Sequence, residues 1–544
     1  MSEREFCLLY HPWILAMRQD GKTEELSLLE TLSRAHELKD LSGEVPAQDA
    51  ALLRFLLSIL HSVFARYSPE GSFSEIRDTN DAFKRWSELW ERGSLPMDII
   101  TRYLNKYENR FYLSPPEKSF FQVPNLGRGT YYTSAKLNGE ISESGNKIRL
   151  FPQRTGRQKQ QLSYAEAARW VFFINAFDDS SVKPATRGLK ASGKTESPGT
   201  GWLGKLGLIM AKGHNLFETL LLNLVLLPDT GDSLWEKERP SWEFERRVEE
   251  RVRIPMPRNL SELYTLQSRR IMLEFKDDMV TGYRMLSGDF FLSENAFTEQ
   301  MTVWKSTGKK GGVKIYTPRR HDPSRQLWRD FKVLFAQSEN SGHRPGILSW
   351  LSRLKEKDLI KSSHFCFHIM SVKYGSNGSK NPSTIDDMFS DTLTFNSNLI
   401  KKAHEHWVRR IIEEIDTTEK LVRQTADLAR DIAKASGDKS GNTAENLTKD
   451  QCYYQLDLPF RAWLEMIDPD RDDLDSTCDE WFLTAQRIVR RIGDELVKKA
   501  GTKAFVGRVV VDNEKKYRYT APEAYNSFLY KTSSREALWK EVKI

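Results

Sequence analysis

Between Asn398 and Ser436 apolar residues recur at Ile400, Ala403, Trp407, Ile411 and Ile415, and again at Val422, Ala426, Ala429 and Ala433. These spacings draw one stripe along a single long helix, roughly 60 Å in length at the α-helical rise. Such a helix must bury its stripe against other helices. "GDKSGNTAEN" breaks it, a second helical run follows to about Ile467, and a third opens at "STCDEWFLTAQRIVRRIGDELVKKAG". In that third run Ser476 and Asp479 are placed like a capping box, with Gly501 in the C′ position. A fourth begins near "APEAYNSFLYK", residues 521–531. Long amphipathic helices joined by short loops predict an antiparallel four-helix bundle over residues 393–544.

A chain of 544 residues exceeds what one core usually serves, so at least one more domain precedes the bundle. Residues 1–392 mix strands, helices and polar loops. "FCLLYHPWILAMRQDGK" predicts a strand pair turning at Asp20-Gly21, residues 47–67 a strong apolar helix, and residues 80–107 another. From 110 to 215 the chain is loop-rich with strand fragments, while 269–289 predicts a hairpin and 362–382 a strand entering an exposed polar turn. The expected class is α+β: a mixed α/β N-terminal domain over 1–392 followed by the bundle.

No uninterrupted apolar run approaches the roughly 20 residues that span a bilayer. Residues 50–67 and 217–227 come nearest, but Arg54, His61, Glu218 and Asn223 interrupt them, so both read as buried helices with no membrane partner. The start "MSEREFCLLYHPWIL" lacks a basic region followed by a small-residue cleavage site. Cys7, Cys366, Cys452 and Cys478 form no C-x-x-C pair, which removes the usual zinc and redox signatures and fits reduced thiols in the cytoplasm. The charge balance, 82 Lys+Arg against 75 Asp+Glu, is modest at +7, and its placement matters more. Basic clusters at 154–160, 187–194, 305–314 and 487–499 together point to a polyanion.

"GLKASGKT", residues 188–195, fits the phosphate-loop pattern G-x-x-x-x-G-K-[ST], which raises the reading of an ATPase using Lys194 and Thr195. Its surroundings argue against that reading. A phosphate loop follows a buried strand and opens into a helix, because amides at the helix N-terminus must face the phosphates. Here "DDSSVKPATR" precedes and "ESPGTGWLG" follows, with Pro198, Gly199 and Gly201 opposing a helix. What survives is a glycine-bearing basic loop. His364 and His368 sit in a strand-like segment where they do not converge on an ion, and His404 and His406 point apart on a helix. "IDPDRDDLDS" lacks the glycine and closing glutamate of a calcium loop and reads as an interhelical turn. No cofactor, metal centre or catalytic constellation is expected.

At "FCLLYHPWILAMRQDGKTEELSLLETL", "SPGTGWLGKLGLIMAKGHNLFETLLLNL", "YTLQSRRIMLEF" and "VKYGSNGS" the chain resembles the CasA family, the large subunit of the type I-E CRISPR surveillance complex Cascade. "GTGWLG" and the apolar "LLLNL" carry the resemblance best, and the ordered motifs run through nearly the whole chain. The resemblance implies a non-catalytic subunit whose partners are the other Cascade subunits, the CRISPR RNA, double-stranded target DNA and a helicase-nuclease. It implies recognition of the protospacer-adjacent motif (PAM) through the minor groove, and the start of strand separation. A reading as a scaffold that meets RNA and protein alone stays open beside it.

Three devices follow from the resemblance. "VKPATRG" stands where the family has a glycine loop, with Lys183, Ala185, Gly188 and Lys190 at the DNA. A minor groove about 6 Å wide admits backbone more readily than side chains. "YGSNGSKNP" stands where the family has a hairpin that wedges into the duplex, offering Asn377, Gly378, Lys380 and Asn381. Residues 142–161 match a loop at the guide-RNA handle, with Asn146 and Phe151 in place and Arg149 and Arg154 for phosphates. A family lysine that contacts the motif from a nearby hairpin has no placed counterpart in this sequence, and Arg284 is the candidate named for it.

Overall fold

The computed structural model describes the chain outside residues 1–4, 115–119, 125, 128, 144–147, 149–151, 181–198, 230–232, 245–252, 336–342, 376–383, 513–514 and 541–544. The described chain falls into two compact units. The first comprises Met1–Pro323, Ala336–Leu359 and Cys366–Thr392; the second comprises Ser324–Phe335, Ile360–Phe365 and Leu393–Ile544. Together they are mixed helix and strand with a helical C-terminal region, the class the sequence predicts.

The first unit is built around the helix Pro46–Phe64, apolar on every face and preset at its first turn by Pro46. Among the described residues it is long and apolar enough to cross a membrane, yet 94% of that stretch is buried within the protein. A second buried helix, Tyr164–Phe177, lies beside it, with Phe55 and Phe172 rings 4.6 Å apart. This second helix contradicts the expectation of loops and strand fragments over 110–215: "YAEAARWVFFINAF" is apolar all round and shows no stripe. Its Ser163–Glu166 capping box closes the N-terminus reciprocally.

Among the described residues this unit also holds three three-stranded sheets and two two-stranded ones. Ile14–Arg18 is the middle strand between Thr23–Leu26 and Leu38–Leu41, while Phe6–Cys7 pairs instead with Tyr112–Ser114. The expected hairpin at 269–289 forms from Arg269–Lys276 and Met279–Ser287, turning through Asp277 and Asp278, both with positive φ, 53° and 57°. Thr130–Thr133 adds the third strand. His364–Gly375 lies between Leu208–Lys212 and Thr384–Asn396, so the expected strand forms, and the polar turn expected after it lies outside the described residues. The helix expected over 80–107 is two, Thr79–Arg92 and Met97–Lys106, parted at left-handed Gly93 (φ 70°).

The second unit contains four long helices, Glu405–Ser436, Asn442–Met466, Leu474–Lys498 and Ala521–Lys531, with the first packed on the other three. Trp407, Ile411, Ile415, Val422, Ala426 and Ala429 of the sequence stripe are buried. The first helix begins seven residues later than expected and is therefore about 48 Å long rather than 60 Å. "SNLIKKAH" turns through two short 3-10 segments, the first capped by the Asn396 side chain. Asp473, not Ser476, caps the third helix by accepting from the Ser476 amide, and Gly501 starts a short fifth helix instead of ending the third. Trp481 packs edge-on to Phe460 (4.9 Å) and stacks on Trp463 (5.5 Å) at the bundle centre.

Candidate nucleic-acid interface

Lys183, Ala185, Gly188 and Lys190, the wedge positions Asn377, Gly378, Lys380 and Asn381, and Asn146, Arg149 and Phe151 of the handle loop lie outside the described residues. The described residues do include both flanks of each of these three segments.

The glycine loop leaves from the C-terminus of helix Tyr164–Phe177 and returns at Gly199. Arg269, fully buried at the start of its strand, holds both ends: it pairs with the Asp178 carboxylate and donates to the Asp179 and Gly199 carbonyls at 3.0 Å each. The segment after the return is packed too closely for side chains. A Cβ on Gly201 would stand 2.4 Å from the Ala176 carbonyl oxygen, and one on Gly204 2.2 Å from the Tyr374 hydroxyl. In GTGWLG, Gly201 is thus required by close backbone approach and Gly204 by the Tyr374 side chain, while Gly199 takes a left-handed φ of 70°. Among the described residues the elements nearest the loop are a helix before it and a 3-10 turn, Leu203–Lys205, after it, not the strand and helix that flank a phosphate loop.

The wedge hairpin meets the same place. Tyr374, near the end of its outgoing strand, donates from its hydroxyl to the Phe177 carbonyl at 2.6 Å. Burial pushes the Tyr374 phenol well above its ordinary range, which keeps the proton on the donor. The handle loop joins through Lys136, whose ammonium is 2.9 Å from Asp179 and 3.5 Å from the Ser142 hydroxyl. Burial alone would lower the Lys136 pKa, but Asp178 and Asp179 outweigh it and hold the ammonium above its usual value. Glu143 and Lys159 tie the two sides of the handle loop together.

A fourth segment has its base here. The basic cluster 305–314 is a two-stranded hairpin, Trp304–Lys310 with Val313–Pro318, turning through left-handed Gly311 and Gly312 (φ 59° and 82°). Lys305 and Lys309 are exposed on it. At its base Val303 donates to the Gly207 carbonyl (3.2 Å), and Arg320 donates to the Gly204 carbonyl (2.6 Å) while lying 4.8 Å from the Tyr374 ring centre.

The two remaining site candidates lie elsewhere in their surroundings. Arg284 sits on the middle strand of its sheet, opposite Tyr131 and Met272, and pairs with Glu274 at 3.1 Å. It lies mid-strand and not at the hairpin tip, Asp277-Asp278. Arg154 is paired with Glu166 at 2.8 Å. Sequence reasoning missed Lys136, Lys205, Arg269, Arg320 and Tyr374. The signal for Arg269 was present: two arginines opening the otherwise apolar strand "RRIMLEF" demand buried counter-charges.

Lys205 is the electrostatic anomaly of this region. Burial, with Arg269 and Arg320 adding repulsion, lowers its pKa to about 8. Above that value the folded chain releases the proton before the unfolded chain does, so stability rises as pH climbs from about 8 towards the ordinary 10.5. Denaturant titrations across that window should show the rise in the wild type and a flatter profile in Lys205→Met.

The family model for CRISPR-associated protein Cse1 matches residues 8–492. A Thermus thermophilus protein named CRISPR-associated protein CasA/Cse1 is 29% identical over 335 residues, 61% of each chain, so the match spans less than two thirds of that relative. The crystal structure of Thermobifida fusca Cse1 superposes with a TM-score of 0.82 at 31% identity, covering 98% of both chains. A chain of a CRISPR RNA-guided surveillance complex shares the fold at TM-score 0.62 and 18% identity, over 90% of this chain and 99% of that one. With a family model matched along most of its length and a fold shared end to end with a solved member, the chain belongs to the Cse1 family of CRISPR-associated proteins.

Proposed function

We propose that this chain is the large, non-catalytic subunit of an RNA-guided surveillance complex that recognises a short motif in foreign duplex DNA and starts its unwinding. The observation that carries the reading is the shared root of the glycine loop, the wedge hairpin and the handle loop: Arg269, Lys136 and Tyr374 bind three segments far apart in sequence into one hydrogen-bonded cluster. Loops rooted together can act on one stretch of duplex. In this reading Gly188 lets backbone into the minor groove, Ala185 flanks it, Lys183 and Lys190 meet phosphates, and Asn377 or Lys380 replaces stacking lost at the first opened step. Asn146, Arg149 and Phe151 hold the RNA handle. Lys309, on an exposed hairpin based at the same cluster, is a better finger than Arg284. The bundle of the second unit receives the displaced strand and the helicase-nuclease.

The test is Gly188→Trp in the assembled complex. Binding to motif-bearing duplex should fall roughly tenfold or more, the size of one lost base-pair readout, with assembly and melting temperature unchanged. Equal discrimination between motif-bearing and motif-free duplexes in the variant and the wild type would favour a scaffold role instead.

A further inference from the structure

Resting on that reading, we infer that Lys205 and Arg320 form a phosphate site at the common root of the loops, which seats a backbone phosphodiester of the target duplex beside the motif. No carboxylate balances either side chain among the described residues, and neither belongs to the glycine loop, the wedge or the handle loop. The Lys205 ammonium lies 5.8 Å from the Trp202 ring centre, and the Arg320 guanidinium is laid over Tyr374 with its Nε on the Gly204 carbonyl. Both are half-buried. The carboxylates at this root, Asp178 and Asp179, are engaged by Arg269 and Lys136.

Cations gathered under partial burial with no counter-charge are unfavourable in the free protein. An incoming anion converts that cost into affinity, because its hydrogen bonds to the two cations form where water is already partly excluded. The geometry suits a phosphate. Arg320 is fixed by its ring and carbonyl contacts, while the lysine supplies a point charge near enough to repel it. Gly199, whose added Cβ would stand 3.9 Å from the Lys205 side chain, lies beside that cation.

The discriminating variant is Lys205→Gln, with Lys205→Arg as the charge-preserving control. In the isolated chain, without added anion, Lys205→Gln should melt at or above the wild-type temperature, since it removes an unbalanced charge. Inorganic phosphate should raise the melting temperature of the wild type and of Lys205→Arg more than that of Lys205→Gln. In the assembled complex Lys205→Gln should weaken duplex binding roughly tenfold, as loss of one charge-assisted contact does. It should also make the salt dependence shallower by about one unit of slope, and leave the ratio of motif-bearing to motif-free binding unchanged. A Lys205→Gln chain that melts lower than wild type in the absence of anion overturns the inference, because the lysine would then be structural. An unchanged salt slope also overturns it, even if phosphate shifts the melting temperature; that result would mean an adventitious ion only. Failure of the broader reading is separable, since it appears in the wild-type complex as absence of motif dependence.

Discussion

Glu299→Ala destabilises the first unit by about 3–5 kcal/mol, the cost of leaving a buried charge without its partner. Arg54, on the central helix, donates both Nη atoms to the Glu299 carboxylate at 2.7 Å each, and both side chains are essentially inaccessible. Trp202 adds a donor at 2.8 Å and the Met301 amide another at 3.1 Å. Removing the carboxylate strands the guanidinium against the Tyr264 ring, 4.1 Å from its centre, which cannot replace two charged hydrogen bonds. The double variant Arg54→Met/Glu299→Met should recover part of the loss, since two apolar side chains need no counter-charge. The Trp202 indole then stays unpaired at a cost of about 1–3 kcal/mol. Equilibrium denaturation of the single and double variants checks this; strictly additive losses would mean the pair is not coupled.

Arg269→Met has the second large effect, and under the proposed function its consequence extends beyond stability. It leaves the buried Asp178 carboxylate without its guanidinium and releases both the Asp179 and Gly199 carbonyls. A stability loss of about 3–5 kcal/mol is expected. Motif-dependent duplex binding by the complex should fall further than the loss of folded chain explains, because the two ends of 181–198 are no longer fixed. Arg269→Lys restores the charge without the planar fork and should recover stability more than binding. Binding that tracks folded fraction alone would reduce Arg269 to a structural ion pair.

The sequence makes elements legible where burial is one-sided. The Trp407–Ala429 stripe announces the bundle because each helix there has a wet face, and the hairpin turning at Asp277-Asp278 announces itself through residues that tolerate positive φ. Tyr164–Phe177 stays hidden because complete burial erases periodicity. The loop cluster is hidden for another reason: Lys136, Asp179, Arg269 and Tyr374 come from separate parts of the chain, and nothing local marks them as neighbours. Resemblance to a family locates the loops but not what roots them. Charge on a hairpin is the ground for choosing Arg284, and the sequence does not show that its strand is the middle of a sheet or that it pairs with Glu274.

The backbone passes between the two units five times, because the second unit borrows Ser324–Phe335 and Ile360–Phe365 from within the span of the first. Trp328 stacks on Phe460 at 4.5 Å, and Phe331 and Phe335 pack on Phe395. A fragment ending at 392 keeps those three aromatics and forfeits what covers them, leaving an adhesive surface. The helical part is therefore not a detachable cassette: swapping it between relatives demands that the two inner segments travel with it.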